Sequence, residues 1–381
     1  MVNKILYIHH AGELGGAPKS LSILLSGLDK EKNKPYVFML IDGPAKDLFT
    51  KVDAEVIVSK SRLFAFHGTT VSGMNFRLFV KNVLYLLPNV FAAYKVIKKV
   101  KPSIVHLNTS CLFVYAMVAK LFFNNIKVIS HVREPLLNNF FGKILSYFNS
   151  KYVDFFIPIN DYESEPFEDD KLEVIKNSID TSIYTFDNKI REEERKEIEI
   201  DNNDFVVGFF ARFNFENGIE DLLAISLKLK IIDTNIKILI YGFEPEIVSE
   251  EVKNIAIQMP DNVIIKGMVT DVQRKMQMID LLISPFKTPH FSRSVIEAQS
   301  MSIPVLVSDV KSQNTLLENN NTGYIYTLGE VNDAVNRIIT LKTNQELLIS
   351  MKKNARRFAV NNFCHITNNK KVYAIYNNVL K

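Results

Sequence analysis

Short apolar runs recur along the chain, separated by stretches in which apolar residues return at helical spacing. In the first half they fall at 5–9, 36–41, 55–58, 104–107, 128–131 and 155–159; in the second half at 206–210, 236–241, 263–266, 281–284, 305–308 and 324–326. Runs this continuously apolar suit strands covered on both faces, and their alternation with helices predicts two doubly wound α/β halves, each built on a parallel sheet. Between the halves, 180–204 carries many charges and no strand signal, so the linker is expected at 179–188, with a charged helix opening the second domain. The tail from 354 onward keeps helical spacing through Phe358, Val360, Phe363, Tyr373, Ile375, Tyr376 and Leu380. The expected domains are therefore 1–179 and 180–357, with a terminal helix over 358–381.

Composition agrees with this plan. A chain of 381 residues with 47% hydrophobic and 23% charged side chains is globular and long enough for two domains. Its two cysteines, Cys111 and Cys364, offer neither a disulfide framework nor a cysteine-rich metal site, so a reducing, cytoplasmic setting is the expectation. The apolar stretch from Lys4 to His10 is too short for a signal peptide. The segments 78–97 and 104–123 are too interrupted by polar residues to span a membrane.

Charge adds an asymmetry that the formal net of +4 hides. Residues 56–153 hold thirteen Lys and Arg against Glu134 alone, a net of +12, while the chain from 154 onward is acidic. Within the basic part, Leu63, Phe64, Phe66, Phe76, Leu78, Phe79, Leu84, Tyr85, Leu86 and Leu87 interleave with the cations. That composition fits peripheral docking on an anionic membrane, at its inner face; two core helices with solvated basic faces are the alternative. No nucleic-acid motif accompanies the charge, so no nucleic-acid partner is expected.

Four loops carry candidate chemistry. After the first strand, Gly12-Glu-Leu-Gly-Gly-Ala-Pro-Lys-Ser20 leads into a helix, and backbone N–H groups at Gly15 and Gly16 can face an anion, a tight turn being the alternative. His131 ends a strand in Ser130-His-Val-Arg-Glu-Pro135, where a parallel sheet lines its ligand crevice, whereas His106 one strand earlier reads as packing or support. In the second half a strand delivers Arg212 to a loop before a helix, a natural diphosphate clamp. Ser292, Arg293 and Ser294 start a further helix, and Glu297 lies one turn inside it, placed to accept both hydroxyls of a vicinal diol.

Taken in order, these pieces resemble the family 4 retaining glycosyltransferases of GT-B architecture over nearly the whole chain. The matching residues are the glycine turn at 12–16, His131, Val174-Ile-Lys-Asn-Ser-Ile-Asp180, Arg212 with 216–218, Tyr241-Gly-Phe-Glu-Pro245, 291–298, 303–309 and 321–325. The resemblance implies two Rossmann-like domains facing a cleft, a C-terminal helix crossing back to the first domain, a nucleoside-diphosphate sugar bound by the second domain and a glycan or lipid-linked acceptor by the first. It implies that Arg212 holds the donor diphosphate, Glu297 the ribose and Gly242 part of the donor loop, with Met268 and Val269 at the nucleobase. Gly16 would approach the phosphates and His131 the transferred sugar. No cofactor is implied, and no Asp-x-Asp metal pair occurs.

Departures from the family pattern qualify the comparison. Asn217 stands where the family carries Lys, and Pro289 where it carries the first of two glutamates, each contact worth ~2–4 kcal/mol of transition-state stabilisation. Lys287, His290 and Arg293 are the candidates to substitute. Lys311 and Ser312 replace an expected Gly-Gly pair. A glycosyltransferase of surface-polysaccharide synthesis is the expectation; a catalytically degenerate GT-B subunit, or a GT-B epimerase using Glu134 and Glu297, are the alternatives.

Overall fold

The protein is described by a computed structural model covering residues 2–289 and 291–381. Every apolar run becomes a strand. The first sheet comprises β1 (Asn3–His9), β2 (Asn33–Met39), β3 (Glu55–Val58), β4 (Ile104–Leu107), β5 (Lys127–Val132) and β6 (Phe155–Pro158), in the order β3-β2-β1-β4-β5-β6. The second comprises β7 (Phe205–Phe210), β8 (Ile236–Tyr241), β9 (Val263–Lys266), β10 (Leu281–Ser284), β11 (Val305–Ser308) and β12 (Gly323–Tyr326), in the order β12-β11-β10-β7-β8-β9. All pairings within the sheets are parallel. Both sheets thus have the same doubly wound order, with a switch point between β1 and β4 in one and between β7 and β10 in the other. Ligand crevices open outside the carboxyl ends of strands at such points.

The strands alternate between two cores. Leu6, Ile8, Val105 and Val128 face the helices Phe76–Val100 and Phe113–Phe122, while Ile5, Tyr7, Ile104 and Ile129 face the helices Gly16–Ser26 and His365–Val379. The terminal helix contributes Val372, Ile375 and Tyr376 to that second core and is pinned by Asn369 Nδ2, which donates to the Ile23 carbonyl at 2.8 Å.

The chain forms two compact units: residues up to Ser178 with His365–Lys381, and Ile179–Cys364. The tail differs in one respect from a single terminal helix over 358–381, because it breaks at Cys364 into helices Gln345–Phe363 and His365–Val379. Phe358, Ala359 and Phe363 pack with Ile179, Val206 and Leu282 in the second unit, so its share of the tail ends there. The Ile179 N–H donates to the Phe363 carbonyl at 2.9 Å, which draws Ile179 into the second unit as well.

One buried group in the first unit is thermodynamically exposed. Glu163, on the short helix after β6, is fully buried, and neither carboxyl oxygen has a hydrogen-bond partner among the described residues. Burial pushes its pKa up to about 8. The folded state therefore keeps a proton that the unfolded chain releases in the ordinary glutamate range, and this contribution to stability is lost as pH rises from there toward about 8. Glu163→Gln is expected to flatten that decline, gaining roughly 1–3 kcal/mol on the parent between pH 5 and 8. Thermal unfolding across that range checks it; parallel curves for the two proteins would refute it.

Candidate active site

In the second unit the switch point assembles from the ends of β7 and β10. Arg212 lies two residues past β7 with an exposed side chain. Its backbone is fixed from two sides. Gly242, at φ +121°, packs so closely after β8 that a Cβ would sit 2.0 Å from the Ala211 carbonyl oxygen, and the Phe213 N–H donates to the Gly242 carbonyl at 3.0 Å. Asn217 is buried, with its Nδ2 donating to the Arg212 carbonyl at 2.8 Å and its own N–H bonded to Asn214 Oδ1 at 3.0 Å. The residue standing where the family has a lysine is thus an internal brace for the arginine loop.

Past β10, Lys287 pairs with Glu220, and its N–H donates to the Glu216 carbonyl at 2.9 Å. His290 lies outside the described residues. Ser292 is buried ahead of the helix Arg293–Ser300, its Oγ 3.1 Å from that of Ser294. Glu297 is only 5% exposed, and its Oε1 accepts from Tyr184 Oη at 3.0 Å and from Arg293 Nε at 3.3 Å. It is therefore not a solvated helix-start carboxylate. Two of the three groups considered as substitutes, Lys287 and Arg293, are already ion-paired. Met268 is exposed in the loop after β9 and Val269 half-buried beside it, while Ser312 is buried in the helix Lys311–Asn314.

In the first unit, Gly15 precedes the helix Gly16–Ser26 with no side-chain cap, and a Cβ on Gly15 would meet open space. The first-turn amides of Gly16 and Ala17 are therefore available to an anion. His131, one residue before the end of β5, is almost fully buried and bonds through Nδ1 to His106 Nε2 at 2.8 Å. Burial, then the Arg133 charge, hold His131 well below the usual histidine range, so it is neutral near pH 7. Arg133 Nε donates to Asn108 Oδ1 at 3.0 Å, and its terminal nitrogen to Asn177 Oδ1, so the motif residue Asn177 is drawn to the switch point.

Beside these groups opens a cavity of about 330 Å³, lined by His10, Glu13, Arg62, Phe66, His67 and Glu134 among others. Glu134 accepts from Thr69 Oγ1 at 2.5 Å. Burial lowers the pKa values of His10 and His67, and both are poor cations. The long helix Phe76–Val100 holds the cavity wall from behind: Asn82 bonds both backbone groups of His67, at 2.8 and 3.0 Å, and Asn89 Nδ2 donates to the Phe64 carbonyl at 2.9 Å. Sequence reasoning missed His10, Arg62, His67 and Tyr184. His67 is a lone histidine outside any strand and Tyr184 lies in the linker; only the adjacent His9-His10 pair at the end of β1 offered a signal.

The exposed apolar face is narrower than composition indicated. Leu63 is buried in the first core and Phe64 lines the cavity. The surface stripe instead follows one side of the long helix through Phe76, Val80, Val83, Leu84, Leu87 and Phe91, opposite the buried Asn82, Asn89, Ala93 and Val96. No helix among the described residues is long and apolar enough to cross a membrane.

Comparison with known proteins agrees with this architecture. A model of "Glycosyltransferase Family 4" matches residues 14–183, and one of "Glycosyl transferases group 1" matches 190–358. The two matches fall one on each unit, and the chain belongs to the family 4 glycosyltransferases of GT-B fold. It is 26% identical over 209 residues, 54% of each chain, to the capsular polysaccharide biosynthesis glycosyltransferase CapM of Staphylococcus aureus. It is 23% identical over 120 residues, 32% of this chain and 31% of the relative, to an Escherichia coli UDP-Gal:alpha-D-GlcNAc-diphosphoundecaprenol alpha-1,3-galactosyltransferase. These matches span about half or less of the relatives' length. Among solved structures, HepE of Anabaena in complex with UDP-glucose superposes with a TM-score of 0.80 at 18% identity, covering 99% of this chain and 100% of the other.

Gly218 gives a direct check on the arginine loop. It sits at φ +80°, and a Cβ there would lie 1.8 Å from the Pro285 carbonyl oxygen. Gly218→Ala is expected to cost about 2 kcal/mol or more, from left-handed strain and displacement of the β10 end. Denaturant unfolding followed in the second unit measures it, and a loss below the error of the method would contradict the close approach.

Proposed function

We propose that this protein transfers a sugar, with retention and without a metal, from a nucleoside-diphosphate donor to a lipid-linked glycan acceptor in bacterial surface-polysaccharide assembly. The observation that carries the reading is that the neighbouring strands β7 and β10 are followed, at one switch point, by an exposed arginine past β7 and a buried, doubly bonded glutamate on the helix after β10. A departing nucleoside diphosphate gains negative charge, which Arg212 and adjacent helix N-termini are suited to meet. Glu297, its ring of donors already fixing it, is suited to accept from ribose hydroxyls. Ser292, Arg293, Ser294 and Gly242 shape that side, Met268 and Val269 meet the nucleobase, and Gly15 and Gly16 offer amides to phosphate. His131 meets the transferred sugar.

The names of the relatives support the substrate class. CapM is named for capsular polysaccharide synthesis, the Escherichia coli enzyme for a UDP-sugar donor and a diphosphoundecaprenol-linked acceptor, and HepE was solved with UDP-glucose. The cavity beside Glu134 is the acceptor pocket in this reading. The helix that braces it turns its apolar stripe outward, with Arg77, Lys95, Lys98 and Lys99 exposed along it. That combination suits an anionic membrane holding the lipid of the acceptor.

Arg212→Ala is expected to lower turnover about 100-fold or more, and Glu297→Gln to weaken donor binding more than it slows chemistry. Steady-state kinetics with UDP-sugars test both; near-normal rate and affinity in the two variants would remove the proposed donor site. In sedimentation with liposomes at low salt, the parent protein is expected to bind anionic vesicles well above neutral ones, and Leu84→Glu/Leu87→Glu to bind far less. Equal binding to both vesicle types would refute the membrane component and leave the transferase reading standing.

The changes at 217 and 289 favour one second reading, a subunit that has lost catalysis. Restoring Glu at 289 and Lys at 217 separates the two. Turnover by the native chain on a donor panel that includes deoxy-sugars supports an adapted enzyme; activity only in Asn217→Lys/Pro289→Glu supports lost catalysis.

A further inference from the structure

The terminal helix reaches the switch point of the first unit through a chain of three rings. Tyr376 Oη lies 2.7 Å from His106 Nδ1, and His106 Nε2 lies 2.8 Å from His131 Nδ1. All three side chains are almost completely buried. His106 and His131 share one face of the sheet, since His106 pairs with Ile129 and His131 stands two residues farther along β5. We propose that Tyr376 is a positioning residue which, through His106, sets the tautomer of His131, so that His131 presents a neutral Nε2–H donor to its ligand. The proposal rests on the reading of His131 as facing the transferred sugar.

The direction of the chain follows from the strengths of its members. A neutral imidazole nitrogen is a stronger base than a phenol oxygen, so the phenol donates and His106 Nδ1 accepts. A neutral imidazole carries one N–H. With Nδ1 occupied as acceptor, that hydrogen lies on Nε2 and is donated to His131 Nδ1. His131 must then carry its own hydrogen on Nε2. With Nδ1 engaged, Nε2 is the ring nitrogen left for the hollow that His131 lines with Ser20, Arg133, Lys176 and Asn177. Burial keeps both rings neutral, pushing His106 down to about 3. A fixed Nε2–H donates to a sugar oxygen, whereas the other tautomer would turn a lone pair toward it.

Tautomers are read directly by ¹⁵N spectra of the full chain labelled at histidine, with the His131 signals assigned by their loss in His131→Gln. The native protein is expected to show His131 as the Nε2–H form. Tyr376→Phe is expected to move the His131 pattern toward the Nδ1–H form and to lower kcat roughly two- to tenfold with little change in donor KM. His106→Phe, which removes the middle link, is expected to shift the same signals and serves if Tyr376→Phe does not fold. A native His131 in the Nδ1–H form, or an unchanged pattern in a folded variant, overturns the proposal whatever the activity. A shifted tautomer with unchanged kinetics upholds the tautomer control and refutes instead the sugar-facing role of His131.

Discussion

Helices cover both faces of each parallel sheet, and that constraint decides where chemistry can sit. A strand walled in on two sides has no solvated face for a polar side chain, so the catalytic candidates collect where strands end. Arg212, Ser292, Glu297, Gly15 and Arg133 all belong to loops or helix starts at the carboxyl edge. The exceptions are informative. Tyr7, His106 and His131 lie within the first sheet, and the two histidines escape the cost of burial by bonding in series to a tyrosine on the covering helix. The buried ring chain carries polar chemistry into the ladder itself, as His9 does through its bond to Asn108.

The same economy appears at position 217. A lysine there would carry charge outward, but an asparagine, short and uncharged, turns inward and braces the carbonyl of the arginine beside it. The substitution exchanges an electrostatic contribution for a geometric one. Arg212 becomes the exposed cation of a loop held by Asn217 on one side and by the close approach of Gly242 on the other. The nearby cations Lys287 and Arg293 are paired with Glu220 and Glu297, whereas the Arg212 side chain is exposed.

The strands were legible because parallel strands in a doubly covered sheet are near-continuous apolar runs, and each run has room for one element only. The end of β2 shows the limit: its first residues, Asn33 to Pro35, are polar or helix-breaking, yet they pair with Asn3 to Ile5 because the ladder carries them along. The tail was not divisible from its sequence, since Phe358 and Phe363 are apolar like Ile375 and Tyr376 although they serve different cores. At the site, residues on strand ends and helix starts were visible from their element. Tyr184, Arg62 and His67 were not, because partners brought together across a fold leave no spacing in the sequence. Glu134 is intermediate: its motif marked it, but its bond to Thr69 belongs to tertiary structure.

The passage of the chain into the second unit and back has a consequence for how the protein is made. Residues up to Ser178 leave the ribosome without one of the two helices that cover one face of their sheet; Ile5, Tyr7 and Ile129 wait for Val372, Ile375 and Tyr376 until residues 179–364 have been synthesised. The second unit, continuous in sequence, can fold while the first still has an open flank, and an apolar flank of that kind is a target for chaperones and for self-association. Vectorial synthesis therefore makes the first unit, though it emerges first, the last to be finished, and its maturation is timed by the arrival of the helix that carries Tyr376.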